Sequence, residues 1–233
     1  KLNALNPEIF AELVEHIDRF SAEGEVRCAI IKGQGERAFS AGFDLSRALG
    51  QNGPQPDPNK DPSMQWPIRR PRDAIFDAPF LVIAMIQGYC VGGGLGLATE
   101  CDMRIAADTS ELGITPSKLG IIYEHEGIQV FVDLVGPAFT KELFCSGRRV
   151  NAERALAMGL VNQVVPAADL ESAVYSLAEE LTENAPLSVK GHKVIVNTLV
   201  QRRVESSTLS EADINMIKEA QRVAADSEDR IEG

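Results

Sequence analysis

The sequence predicts an α/β fold, and three observations support this prediction. Short apolar runs typical of buried strands alternate with helical segments in the first half of the chain. From Gly127 onward the pattern is mostly helical. Of the 233 residues, 44% are hydrophobic and 24% are charged, which is the composition of a folded globular chain. A chain of this length can build one substantial core or two small domains.

The first helix is predicted to begin at Pro7. Asn6 is a favourable cap, proline suits the first helical position, and Glu8 lies near the positive end of the helix dipole. Apolar residues then recur at helical spacing as far as Phe20. Residues 26–31 are mostly apolar, include three β-branched residues and are followed by glycines, so they predict a buried strand that ends in a turn.

Residues 50–72 are predicted to form a long loop, because six of the twelve prolines fall here together with the only tryptophan, Trp66. Long loops in compact domains are usually functional or mobile, so we expect this loop to form a pocket wall or lid. Asn151 and Asp169 are predicted helix caps. The later elements are predicted strands over 80–86, 103–106 and 161–165, and predicted helices over 152–158, 169–184, 187–200 and 207–224.

Charge and hydropathy exclude two classes of partner. A net charge of −11 disfavours binding to nucleic acid or to an anionic membrane. The longest apolar run, residues 80–86, is seven residues, far short of the roughly 20 that cross a bilayer. The four cysteines show no C-x-x-C spacing, so we predict buried free thiols, a cytoplasmic location and no metal site.

Two glycine-containing segments, 37–45 and 87–96, are the strongest candidates for a binding site. Each follows a predicted strand, and glycine lets the backbone approach a ligand closely. A helix that starts in the second segment would supply N–H groups, and two N–H groups converging on one oxygen form an oxyanion hole. For either segment alone, tight packing of a strand against a helix is the simpler explanation. No internal repeat is visible.

The two segments, 37–45 and 87–107, resemble the oxyanion-donor signatures of the crotonase (enoyl-CoA hydratase/isomerase) superfamily. Three further motifs follow in that family's order: Leu119-Gly120-Ile121, Ser146-Gly147-Arg148-Arg149 and Gly159-Leu160-Val161. The resemblance implies a crotonase fold of repeated ββα units over residues 1–184. It also implies a helical C-terminal region of the same domain over 185–233, and a homotrimer or dimer of trimers. Both chain ends are abrupt, so we expect terminal segments to be missing.

The resemblance implies a coenzyme A thioester as substrate, with no separate cofactor. The backbone N–H groups of Phe43 and Gly93 would form the oxyanion hole. The family cradles the adenine against the segment occupied here by residues 41–43, and Arg37 would either meet the CoA phosphates or be a solvated surface charge. The implied substrate-binding residues are Arg37, Ala41, Gly42, Phe43, Gly92, Gly93 and Pro116.

The chain departs from the family pattern at both water-activating positions. Hydratases of the family carry one glutamate where this sequence has Gly96, and a second where alignment places Pro116. Residues 114–123 instead resemble methylmalonyl-CoA decarboxylases of the superfamily, which also have Thr-Pro and a later tyrosine. Decarboxylation needs no strong base, since the departing carboxylate leaves the enolate behind. Tyr123 would orient that carboxylate as a neutral donor.

Other reactions and classes stay open at this point. Dienoyl-CoA isomerases of the family place an acid where Glu124 stands, so isomerisation ranks second and hydration third. Acidic residues such as Glu124 and Glu126 are also typical of a solvent-exposed helix N-terminus without any catalytic role. A binding protein without turnover is a further alternative. So is a hydrolase with Ser40 as nucleophile and His125 or His192 as base, because residues 38–42 nearly match G-x-S-x-G.

Overall fold

The computed structural model describes residues 2–44 and 69–206, together with single helical positions between 211 and 222. The predicted pocket loop up to residue 68, with Trp66, lies outside these residues, as does most of the predicted helix over 207–224. The strands are β1 (Cys28–Lys32), β2 (Ala38–Ser40), β3 (Leu81–Ile86), β4 (Tyr89–Val91), β5 (Met103–Ala107), β6 (Glu111–Gly113), β7 (Val150–Asn151) and β8 (Gln163–Val165). The α-helices are α1 (Pro7–Glu23), α2 (Arg69–Asp77), α3 (Gly93–Glu100), α4 (His125–Ser146), α5 (Ala152–Met158), α6 (Leu170–Glu183) and α7 (Pro186–Ser206).

Strands β1 to β6 alternate between two four-stranded sheets, β7 stays in the second sheet and β8 returns to the first. The first sheet has the order β1-β3-β5-β8 and is parallel throughout. The second has the order β2-β4-β6-β7, with only the last pair antiparallel. A strand in each sheet followed by a helix is therefore the repeating unit, as in β3-β4-α3 and β5-β6-α4. This arrangement confirms the predicted α/β class with repeated ββα units.

Local capping signals located several helices correctly. The Asn6 side chain accepts a hydrogen bond from Ile9 N at 2.8 Å, and Asn151 accepts one from Arg154 N at 2.9 Å. Asp169 stands before α6 as predicted, but its side chain makes no capping hydrogen bond, because the residue closes a short 3-10 turn. The helix after the 3-10 turn at 116–119 begins at His125 and bends at Gly136, where φ is 75°.

The predicted loop over 50–72 is wrong at its C-terminal end, because α2 begins at Arg69. Pro71 is compatible with this helix, since it stands in the first turn, where backbone N–H groups have no acceptor within the helix.

The prediction of four buried thiols is also wrong in part. Cys90 and Cys101 are buried, whereas Cys28 is half buried and Cys145 is exposed. No helix within 2–44 and 69–206 combines the length and apolar character needed to cross a membrane.

Helix α3 packs directly on β2, and two of its glycines have opposite surroundings. A Cβ atom on Gly94 would lie 2.6 Å from Ser40 O and 2.7 Å from Ser40 Cβ, whereas one on Gly96 would meet no atom within 4 Å. We therefore expect Gly94→Ala to lower the free energy of unfolding by about 1–3 kcal/mol through overpacking. Gly96→Ala should raise it by about 0.5–1 kcal/mol, because alanine favours a helix interior.

Urea denaturation of the two variants beside the parent protein measures both effects. Each variant adds one methyl group to the same helix, so the pair separates packing from helix propensity. Equal changes in the free energy of unfolding for Gly94→Ala and Gly96→Ala would contradict the packing described for α3.

Helix α7 is tied to the core by one buried lysine. Lys193 Nζ donates to Ile75 O, to Phe80 O and to Asp102 Oδ2, each at 2.8 Å. Asp102 Oδ2 also accepts from Val82 N at 2.7 Å, so this carboxylate joins β3 to the start of β5. The ammonium group therefore links α7 to the segment between α2 and β3.

Candidate active site

A cavity of about 200 Å³ opens between three parts of the chain. One wall is the loop after β2, the second is the turn from β4 into α3, and the third runs from the 3-10 helix to the start of α4. It brings together these predicted site residues: Ala41, Gly42, Phe43, Gly92, Gly93, Pro116, Tyr123 and Glu124. These residues lie up to 83 positions apart in the sequence, from 41 to 124, so only the fold unites them.

The two glycine segments touch at the cavity. A Cβ atom on Gly42 would lie 2.9 Å from Val91 O and 3.3 Å from Gly93 N, so only glycine allows this approach. Gly42 has φ +93° and Gly92 has φ +57°, backbone conformations that L side chains rarely adopt. The contact holds Phe43 and Gly93 side by side, and a Cβ on Gly93 would lie 2.5 Å from the Phe43 ring.

Gly93 is the first residue of α3, with Gly92 as its N-cap. The first N–H groups of a helix have no acceptor within the helix, and the dipole makes this end partly positive. The backbone of Gly92 is itself fixed by a hydrogen bond from its N–H to Gly113 O at 2.8 Å on β6. This end of α3 can therefore stabilise negative charge on a small ligand in the cavity.

Tyr123 stands opposite the glycine turn. A Cβ atom on Gly92 would lie 3.9 Å from the Tyr123 hydroxyl oxygen, and the tyrosine ring packs edge-on against Phe144 with centroids 5.4 Å apart. Burial raises the pKa of Tyr123 to about 12. The phenol consequently keeps its proton at neutral pH and can donate a hydrogen bond into the cavity without adding charge.

The third wall contains the carboxylates considered in the sequence. Glu124 is the N-cap residue of α4 and Glu126 lies in its first turn, and both line the cavity. Glu124 was interpreted either as part of a helix start or as a catalytic acid. The two interpretations are compatible, since the residue lies both at a helix start and at the cavity. Pro116, where the sequence resemblance places the second hydratase glutamate, is buried at the first position of the 3-10 helix and lines the cavity.

Four residues considered as functional lie elsewhere. Arg37 is exposed and is not among the residues lining the cavity, so its contact with CoA phosphates stays a prediction. Ser40 is buried, and its hydroxyl accepts from Gly42 N at 3.1 Å, which fixes the turn before Phe43. His125 is exposed and paired with Glu126, and His192 is exposed beside Ser188. This arrangement gives no support to a Ser40 hydrolase.

The sequence analysis missed Glu100 and Arg72, which also line the cavity. Glu100 is the last residue of α3 and Arg72 belongs to α2, with Arg72 Nε 3.5 Å from Glu100 Oε2. Burial is the main cause that raises the pKa of Glu100 to about 7. The available signal was helical spacing, because residue 100 follows Gly93 and Gly96 on one face of a helix.

Comparisons with known proteins agree with this fold. The sequence profile of the enoyl-CoA hydratase/isomerase family matches residues 1–231. The chain therefore belongs to this family, the crotonase superfamily, and is an enzyme of that family. Carnitinyl-CoA dehydratase of Escherichia coli strain K12 is 35% identical over 207 residues, which cover 89% of this chain and 77% of that protein.

Solved structures of the superfamily share the whole architecture. A methylmalonyl-CoA decarboxylase in complex with 2-nitronate-propionyl-CoA superposes with a TM-score of 0.86 at 31% identity, covering 99% of this chain and 85% of that one. An enoyl-CoA hydratase/carnitine racemase from Magnetospirillum magneticum gives a TM-score of 0.78 at 29% identity, covering 100% and 83%.

Proposed function

We propose that this enzyme removes CO2 from a malonyl-type coenzyme A thioester by stabilising the resulting enolate. The observation that carries the proposal is the convergence of Phe43, Gly93 and Tyr123 on one cavity in which both hydratase glutamates are replaced. The N–H groups of Phe43 and Gly93 would donate to the thioester oxygen as it becomes an enolate oxygen. Preorganised donors of this kind supply much of the catalysis in such reactions.

Tyr123 would hold the departing carboxylate. Its hydroxyl lies near Gly92, so a thioester carbonyl bound at Gly93 would place its α-substituent close to the phenol. Cleavage needs the carboxylate turned out of the thioester plane, so that the electron pair of the breaking bond can pass into the carbonyl. The superposition with a methylmalonyl-CoA decarboxylase in complex with 2-nitronate-propionyl-CoA supports the proposed reaction.

Tyr123→Phe is the first test of the proposed reaction. We expect the parent enzyme to convert methylmalonyl-CoA into a product lighter by one CO2. We expect the variant to be about 10- to 100-fold slower, because a hydrogen bond to a charged group contributes roughly 1.5–3 kcal/mol. Mass spectrometry of the CoA esters measures the conversion. The phenylalanine ring preserves the contact with Phe144, so the change isolates the hydroxyl.

Two results would contradict the decarboxylase proposal. One is the absence of CO2 loss from methylmalonyl-CoA with the parent enzyme. The other is the addition of water to crotonyl-CoA, which would mean that residues other than 96 and 116 activate water. Full decarboxylation by Tyr123→Phe would contradict only the role given to Tyr123. A CoA ester that binds tightly without conversion of any substrate would instead support a binding protein.

Isomerisation of an enoyl-CoA is the second candidate function, because Glu124 lines the cavity beside Tyr123. A carboxylate there can remove a proton from one carbon and return it to another. Shift of the double bond in a 3-enoyl-CoA, lost in Glu124→Gln, would favour this function.

We also propose that the enzyme works as a homotrimer or a dimer of trimers. Helix α7 supports an assembly, because it exposes apolar side chains that a neighbouring subunit would cover: Leu187, Val194, Ile195, Val196 and Leu199. A measurement of the particle mass in solution distinguishes these assemblies from a monomer.

A further inference from the structure

We propose that Glu100 is the acid that protonates the substrate α-carbon after CO2 has left. The proposal rests on the proposed function, because the enolate must first form in the cavity. It is carried by the line of residues along α3, since Gly93 and Glu100 border the main cavity. Both also border a smaller apolar cavity beside it, which Gly96 lines as well.

The spacing along α3 places Glu100 on the same helix face as the proposed oxyanion donor. Residues 93, 96 and 100 follow one another at three and four positions, so they share one helix face. Side chains lean toward the helix N-terminus, so the Glu100 side chain leans toward the turn that contains Gly96. Gly96 leaves open space on this face, because a Cβ there would meet no atom within 4 Å. Glu100 would thus act in the part of the cavity where the family's hydratases have the glutamate that corresponds to Gly96.

The surroundings of Glu100 suit a group that gives up and regains a proton. Its side chain is only 12% exposed, and this burial raises the pKa to about 7. Asp73 raises the pKa further, whereas Arg72 and Arg104 lower it. Both protonation states are therefore populated at neutral pH, which is the condition under which an acid or base works best.

Among the described residues of the cavity wall, the other ionisable groups are Arg72, Tyr123, Glu124 and Glu126. Tyr123 keeps its proton, because its pKa is raised to about 12. Glu124 and Glu126 come from the start of α4, on a different wall from α3. Glu100 is thus the carboxyl that shares its helix with the Gly93 N–H group.

In the proposed reaction, cleavage breaks the bond between the α-carbon and the carboxylate carbon, CO2 leaves, and the electron pair of that bond forms the enolate. The enolate α-carbon then takes the proton from the Glu100 O–H, which restores the thioester carbonyl. The Glu100 carboxylate regains a proton from water, and Arg72 offsets its charge meanwhile. The net change is uptake of one proton and loss of one CO2.

The reverse of the protonation step provides a test that does not depend on decarboxylation. We expect the enzyme to exchange the α-hydrogen of propionyl-CoA for deuterium in D2O. Glu100→Gln should slow this exchange about 100-fold, the contribution typical of a positioned acid or base. Exchange by the parent should increase as pH rises through about 7, because hydrogen removal needs the ionised carboxylate. This pH step should be absent from Glu100→Gln.

A second measurement shows from which face the α-carbon of the enolate is protonated. Decarboxylation of methylmalonyl-CoA in D2O should give a single stereoisomer of deuterated propionyl-CoA with the parent enzyme, and a mixture with Glu100→Gln. Glutamine matches the shape of the neutral acid, so the variant should fold and bind propionyl-CoA. Glu12→Gln, on the exposed face of α1, should behave like the parent and serves as the control.

The outcomes separate this proposal from the proposed function. Unchanged exchange and unchanged stereochemistry in Glu100→Gln would overturn the role of Glu100, as would a parent enzyme that exchanges no deuterium. Exchange that depends on Glu100, without CO2 loss from methylmalonyl-CoA, would overturn the decarboxylase and leave Glu100 as the acid and base of another enolate reaction.

Discussion

Gly93→Pro is expected to lower kcat for the CoA ester about 100- to 1000-fold, the loss typical of removing one oxyanion donor. Proline has no backbone N–H, so the substitution deletes the proposed donor without removing a side chain. Proline is well tolerated at the first position of a helix, where Gly93 stands. The preceding Gly92 has φ +57° and ψ −125°, the mirror image of an extended conformation, which glycine can keep before proline.

Gly93→Ala is the matched control for this experiment. Both variants place a Cβ atom 2.5 Å from the Phe43 ring, so both require the same movement of that ring. Only proline loses the N–H group. The difference in kcat between the two variants therefore reports the loss of the N–H group together with the Cγ and Cδ atoms that proline adds. Their affinities for a CoA ester show how far those atoms change the cavity shape. If the two variants have the same kcat, the Gly93 N–H group does not stabilise the enolate.

The sequence located the two glycine segments better than the strands within them. β2 and β4 each have three residues, too short for an alternating pattern to be visible. The glycines beside them were recognised as sites of close backbone approach, and Gly42 and Gly92 do meet at the cavity. The ββα repeat was likewise not detectable as a repeat in the sequence. Its units have the same order of strands and helix but do not have similar residues at equivalent positions.

Residues whose role depends on distant partners escaped the sequence analysis. Glu100 acquires its environment from Arg72 on α2, a segment whose prolines led us to predict a loop. The family resemblance identified Gly96 as the position where hydratases carry a glutamate. It gave no indication of a carboxylate one turn later on the same helix. Likewise, Lys193 contacts carbonyl oxygens 113 and 118 residues earlier in the chain, and no local pattern indicates such contacts.

Lys193→Met is expected to lower the free energy of unfolding by about 3–5 kcal/mol, because it leaves a buried carboxylate without its partner. The Lys193 side chain is 3% exposed and the Asp102 side chain 16%, so water replaces little of the lost interaction. The substitution also removes the donor to Ile75 O and Phe80 O, at the junction of α2 and β3. Methionine fills a similar volume, so the loss reflects charge and hydrogen bonding more than a cavity.

An exposed ion pair of similar geometry is the control. Lys32 Nζ lies 2.9 Å from Glu171 Oε1, with side chains 46% and 66% exposed, so Lys32→Met should cost much less than Lys193→Met. Removing both buried charges, with Lys193→Met and Asp102→Asn together, should recover part of the loss, since the asparagine oxygen still accepts from Val82 N. Urea denaturation of the parent, the three single variants and the double variant gives the coupling energy. If Lys193→Met costs no more than Lys32→Met, burial does not strengthen this ion pair, and other contacts of α7, such as the hydrogen bond from Asn197 to Phe76 O, hold it to the core.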